Sequence, residues 1–281
     1  MPYVKRPGQP DIHYIVDDYT DPWRNAPYLV LQHGNGRSSR FWYSWIPYLS
    51  RFYKVVRPDA RGLGKSGANF DLASAVTVEN LTGDILSILD QLGAQSVHFC
   101  GESMGGILGI ALAAMHPQRI RTLTLVSTPV YISDKMKETY SMGHKSRVDA
   151  MKEMGRDAWL KATNRSTRFP PETEPALLNW YEAEFSKSDN DVQLAMARLV
   201  NDANAASFLE KIEAPVLGLY PTAGPITSAE QEQMLIDKLR NFRIVHMATR
   251  YHMVHHVAPA TCATHLLHFI AQHDGVPCHE N

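Results

Sequence analysis

The sequence predicts an α/β protein: a mostly parallel central sheet flanked by helices, with a helical cap inserted into it. Three observations carry this. Short β-branched runs alternate with helical segments along the chain. Several of the runs are too apolar to have a wet face, which is how parallel strands covered on both sides read. The alternation breaks once, from Tyr131 to Glu213, where about 80 residues carry helical periodicity and no convincing strand.

In chain order the strands are Tyr28–Gln32, Lys54–Arg57, Val97–Cys100, Thr122–Val126, Val216–Tyr220 and Arg243–His246. Between the second and third, Leu81, Ile85, Ile88, Leu89 and Leu92 recur at three- and four-residue spacing and stop at Gly93, an amphipathic helix with a glycine terminator. An apolar helix, Ile107–Leu112, follows the third. The long stretch after Val126 is split by Pro170-Pro171, and a strand-to-strand connection of that length needs its own core. The expected division is a core of residues 1–130 and 214–281 with a cap of residues 131–213.

Composition narrows the function. With 44% hydrophobic and 20% charged residues the chain is neither disordered nor collagen-like. The 28 Lys+Arg nearly balance 29 Asp+Glu, so no basic field exists to collect phosphates and no nucleic acid partner is expected. No run of about 20 apolar residues occurs, and Met1–Pro7 lacks the apolar stretch of a signal peptide, so neither a membrane partner nor export is expected. Cys100, Cys262 and Cys278 are scattered and form no C-x-x-C pair, which fits a reducing, cytoplasmic setting. No cofactor is expected either. The dinucleotide loop G-x-G-x-x-G is missing, no H-E-x-x-H occurs, and the adjacent His255 and His256 do not face one point with His252. What remains as a partner is a small-molecule substrate.

The sharpest motif is Gly101-Glu102-Ser103-Met104-Gly105-Gly106, after a strand and before an apolar helix. Placing Ser103 in a tight strand-to-helix turn exposes its hydroxyl, and small neighbours avoid collision there. The helix N-terminus then offers N–H groups to an oxygen that becomes negative. His33-Gly34-Asn35-Gly36 follows the first strand, where a backbone N–H of Asn35 joins that of Met104 in an oxyanion hole. Asp59-Ala60-Arg61-Gly62-Leu63-Gly64-Lys65-Ser66 follows the second and reads as a structural loop, in which Asp59 and Arg61 satisfy loop groups or each other. Its spacing is not that of a phosphate loop.

Taken in this order, these motifs resemble the α/β-hydrolase superfamily over nearly the whole chain. The inserted cap and Glu213-Ala214-Pro215-Val216-Leu217 look like the 3-oxoadipate enol-lactonase-like esterases and lactonases. The resemblance implies a serine nucleophile at Ser103 and a base in the loop after the last strand. Relatives carry a histidine seven residues before a proline there; counted from Pro259, that is His252, while His255 and His256 begin the closing helix and pack or face solvent. The triad acid departs from the pattern. Tyr220–Thr227 matches the segment that holds it, yet Gly224 stands in its slot, and Val126-Ser127-Thr128-Pro129 offers no carboxylate at the alternative place. Asp134, Glu230 and Glu232 are near in sequence and fit neither slot.

Three accounts follow. The acid is relocated, or Ser103 and His252 act as a dyad helped by Ser127 or Thr128, or the chain is an idle small-ligand binder on this fold. If the slot is open, Gly224→Asp should raise turnover. The leading reading is a cofactor-independent serine hydrolase of a small carboxylic ester, lactone or activated amide, with a carbon–carbon bond hydrolase as a variant. Cap residues Trp159, Trp180, Tyr181 and Phe185 are candidates for an apolar wall or for cap packing; Arg147, Arg165 and Arg168 are candidates for a substrate carboxylate or ordinary surface charges.

Overall fold

A computed structural model describes residues 2–224, 226, 228–276 and 278; Pro225 and Thr227, in the segment matched above to the acid slot, lie outside it. The strands are β1 (Tyr3–Val4), β2 (Ile12–Asp17), β3 (Tyr28–Gln32), β4 (Lys54–Pro58), β5 (Val97–Glu102), β6 (Ile120–Val126), β7 (Val216–Pro221) and β8 (Phe242–Met247). They form one eight-stranded sheet in the order β1-β2-β4-β3-β5-β6-β7-β8. From β4 to β8 every pairing is parallel; β1 and β2 join antiparallel at one edge.

The apolar runs are strands with both faces covered. Val30 packs into one hydrophobic cluster while its neighbours Leu29 and Leu31 pack into another across the sheet. The first cluster takes Leu81, Ile85, Ile88 and Leu89 from α2 (Val78–Gln91) and the apolar residues of α3 (Met104–Met115). The second is closed by α1 (Ile46–Leu49) and by Leu266 and Ile270 of the last helix.

Sequence periodicity missed β1 and β2. In β2 the fully buried His13 stands where an apolar residue would signal a strand, and its Nδ1 lies 2.7 Å from Asp59 Oδ2, 46 residues away. A buried polar side chain satisfied by so distant a partner leaves no local pattern.

Between β6 and β7 lie α4 (Asp134–Ser141), α5 (Arg147–Glu153), α6 (Arg156–Thr163), a π-helical turn Asn164–Arg168, α7 (Pro175–Phe185) and α8 (Asn190–Asn201). A bridge between Tyr131 and Asn204 ties the two ends of this insertion. Its core is shared rather than separate. Trp159, Leu160, Tyr181 and Phe185 pack with Phe41 and Met253 from loops of the sheet domain, and Val192 and Met196 of α8 enter the main cluster. The chain ends with α9 (Ala229–Lys238), α10 (Val254–Val257) and α11 (Pro259–Asp274).

Candidate active site

The sheet delivers Ser103 between β5 and α3 with φ 53° and ψ −115°, a conformation that costs a residue with a Cβ about 1–3 kcal/mol. Neighbouring backbone holds it there. Its N–H donates to Val126 O at 3.0 Å, and its carbonyl accepts from Gly106 N at 3.0 Å and Ile107 N at 3.1 Å. Gly105 lets α3 press onto β3, since a Cβ there would collide with Gln32 O and stand 2.7 Å from His33 O.

Ser103, Asn35 and His252 line one narrow cavity of about 40 Å³, together with Arg37, Arg147 and Arg168. Asn35 is buried, and its side-chain oxygen has no hydrogen-bond partner among the described residues. Met104 is the first residue of α3, so its N–H is one of those a helix leaves without an internal acceptor.

His252 sits in the loop between β8 and α10, and the insertion sets its position. Its N–H donates to Thr167 O at 3.0 Å, and Met253 N–H donates to Arg168 O at 3.1 Å, which clips this loop to the π-helical turn. The ring is buried, with Nε2 3.3 Å from Glu102 Oε1 and Nδ1 without a partner among the described residues. Burial lowers its pKa below the usual value, opposed by Glu102, so at neutral pH the ring is uncharged and able to accept a proton. His255 and His256 are packed inside α10 rather than lining this cavity. His255 stacks near Trp42 at 5.2 Å, and burial pushes His256 down to about 3 among Phe41, Phe169 and Tyr181.

The slot matched to the acid has no room for one. Gly224 is exposed at φ +140°, and a Cβ would stand 2.6 Å from Arg250 O. Ser127, at φ 44°, has a buried hydroxyl without a partner among the described residues, and Thr128 Oγ1 bonds backbone at 3.3 and 3.4 Å. The nearby carboxylates are engaged elsewhere: Asp134 faces Lys137, Glu230 accepts from Tyr131 Oη at 2.9 Å, and Glu232 lies 3.0 Å from His246. Glu102 is the carboxylate that reaches His252. Sequence reading passed over it inside the elbow, although a carboxylate closing an apolar strand demands a buried partner.

Other sequence candidates separate. Asp59 bonds His13 and the N–H groups of Ser39 and Lys65, while Arg61 pairs with Asp84 at 2.7 Å, so the two satisfy different groups and not each other. Arg165 is exposed; Arg147 and Arg168 line the cavity. Both guanidinium groups lie about 5 Å from the Trp159 ring, and neither pairs with a carboxylate among the described residues. Burial and then Arg168 push Arg147 down to about 10. Trp159, Tyr181 and Phe185 are fully buried in packing, and Trp180 is partly exposed.

A mostly parallel sheet that presents a strained serine at a strand-to-helix turn, with a histidine from the loop after the last strand lining the same cavity, is the arrangement of the α/β hydrolases. The chain belongs to this family: the model described as "alpha/beta hydrolase fold" matches residues 27–170. It is 27% identical to "Putative carbamate hydrolase RutD" of Pseudomonas savastanoi pv. phaseolicola, over 79% of this chain and 85% of that one. It is 28% identical to 3-oxoadipate enol-lactonase 1 of Acinetobacter baylyi, over 73% and 74%. The crystal structure of the enol-lactonase from Burkholderia xenovorans superposes with a TM-score of 0.84 at 27% identity, covering 96% of this chain and all of the other. The chain is an enzyme of the hydrolase class. Among the described residues no helix is long and apolar enough to cross a membrane.

Proposed function

We propose that the chain is a serine hydrolase of small acyl compounds, an ester, lactone, carbamate or activated amide, that works through an acyl-enzyme at Ser103. The observation that carries this reading is the strained Ser103 at the mouth of α3 in one cavity with a buried, uncharged His252. Ser103 Oγ attacks the carbonyl as His252 takes its proton, the N–H groups of Asn35 and Met104 hold the oxyanion, and water then releases the acyl group. The insertion, residues 131–213, acts as the cap that roofs the site and clips the His252 loop.

Relatives named for a lactone and a carbamate support an acyl substrate. Arg147 and Arg168 favour one that carries a carboxylate, because two cavity-lining guanidinium groups without an acidic partner call for a bound anion.

A fluorophosphonate probe tests the reading. Wild type should be labelled and should release the chromophore from a short aryl ester, and Ser103→Ala should do neither while keeping its fold. Labelling that survives in Ser103→Ala means the nucleophile lies elsewhere. A folded wild type that resists labelling but binds small carboxylates saturably would be an idle binder.

A further inference from the structure

Glu102 ends β5 beside Ser103 and is fully buried. A solitary carboxylate in such a place would take up a proton. Its two oxygens instead have separate partners. Oε2 pairs with the buried Arg37 guanidinium, which is tied in turn to the Tyr181 hydroxyl at 3.0 Å. Oε1 has no hydrogen-bond partner among the described residues and lies within ion-pair reach of His252 Nε2, 3.3 Å away. Gly34 leaves the space for this pair, since a Cβ there would collide with both the Arg37 guanidinium and the Glu102 carboxylate.

We propose that Glu102, held by Arg37, is the positioning carboxylate of His252: it sets the ring's tautomer and balances the charge of the imidazolium that forms while Ser103 is acylated. This rests on the serine-hydrolase reading, which gives His252 the role of base. Burial alone would push the Glu102 carboxyl up; Arg37, then His252, outweigh it and hold the group well below the usual carboxylate range. Three charged groups bear on His252 from different elements. Arg37 in the loop after β3 and Arg168 in the cap disfavour its protonation, Glu102 on β5 favours it, and His255 of α10, close by, is itself buried and held neutral.

The proton path follows from the contact. Once the 3.3 Å approach closes so that Glu102 accepts from Nε2–H, Nδ1, which has no partner among the described residues, is the nitrogen without a proton and serves as the base. As Ser103 Oγ bonds to the acyl carbon, its proton passes to Nδ1 and the carbonyl electron pair moves onto oxygen. The imidazolium keeps Nε2–H on Glu102. When the bond to the leaving oxygen or nitrogen breaks, the proton on Nδ1 goes to that atom, and a water molecule repeats the sequence to free Ser103. Glu102 itself stays ionised throughout.

Two measurements test this, the first without any variant of Glu102. Nitrogen-15 spectra of histidine-labelled wild type at neutral pH, with the His252 signals identified by their loss in His252→Gln, should show the Nε2–H tautomer; the Nδ1–H tautomer overturns the proposal. The second follows the rate of fluorophosphonate labelling against pH in Glu102→Gln, Glu102→Asp and the double variant Arg37→Gln/Glu102→Gln, which strands no buried charge. Both glutamine variants should label about 10²-fold or more slowly, with the midpoint moved to lower pH because the effect of Glu102 on the ring outweighs that of Arg37. Glu102→Asp should recover at least about tenfold of that loss, since the carboxylate is kept at a shorter reach. A folded double variant that labels at the wild-type rate with an unmoved midpoint would make Glu102 a packing residue and overturn the proposal. Wild type that is never labelled overturns the serine-hydrolase reading instead, and the tautomer, read without activity, tells the two failures apart.

Discussion

Of three neighbouring buried histidines, only His252 lines the cavity with Ser103, and substitutions separate its proposed role from packing. His252→Ala removes the proposed base and should cost about 10⁴-fold in kcat/KM in the protein that stays folded. His255→Ala and His256→Ala empty packed space and should cost about 2–4 kcal/mol of stability while the folded fraction stays active. If His255→Ala or His256→Ala silences a folded enzyme and His252→Ala does not, the assignment fails. For wild type, kcat/KM should rise with pH and level off with a midpoint below 6.5, because burial depresses the His252 pKa and the neutral ring is the active form. Arg147→Gln should raise KM for an anionic half-ester at least about tenfold and leave a neutral ester nearly unchanged, a charge-assisted bond being worth about 1.5–3 kcal/mol. Equal effects on both esters would remove Arg147 from substrate binding. Gly224→Asp, an activating change if its slot were open, should bring no gain and lower stability, since its φ of +140° and the nearby Arg250 carbonyl oppose any side chain.

At the scale of elements, the elbow depends on how closely α3 approaches β3. Gly105→Ala would drive a methyl into the carbonyls of Gln32 and His33. The backbone has to give, which should destabilise the fold by about 1–3 kcal/mol and slow labelling of Ser103 more than melting explains. Labelling kinetics set beside thermal melting measure both; an unaltered labelling rate would mean that the turn tolerates a wider gap. The His252 loop is built on a second element contact. It takes its register from Thr167 and Arg168 in the π-helical turn of the insertion, so the insertion helps to position His252.

Across the whole molecule, the buried titratable groups set the acid limit. His252, His255 and His256 have pKa values lowered by burial, and Glu102 and Asp59 have values lowered by their partners against the pull of burial. In each case the unfolded chain binds more protons than the native one, so stability is lost as pH falls. For the histidines the loss begins near 6.5 and continues toward the native value, about 3 for His256; the carboxylates add theirs below 4.5 for Glu102 and 3.8 for Asp59. Unfolding at pH 5 should therefore take up at least one proton, seen as a stability slope of about 1.4 kcal/mol per pH unit or more. A melting temperature that is flat between pH 7 and pH 5 contradicts this.

The parallel sheet, its inserted helices and the strand-to-helix turn at Ser103 were legible in the chain because each rests on local spacing: an apolar run, a three-four repeat and small residues flanking Ser103; the proposal of His252 as base rests on the count to Pro259. The strand of His13, the shared core of the insertion and the partner of His252 were not, for one physical reason. Each depends on a buried polar or apolar side chain whose partner is distant in sequence: His13 with Asp59, Phe41 with Tyr181, Glu102 with Arg37 and His252. Residue order alone fixed where Ser103 stands in its turn; only the packing of β5 against two remote loops decided which carboxylate faces His252.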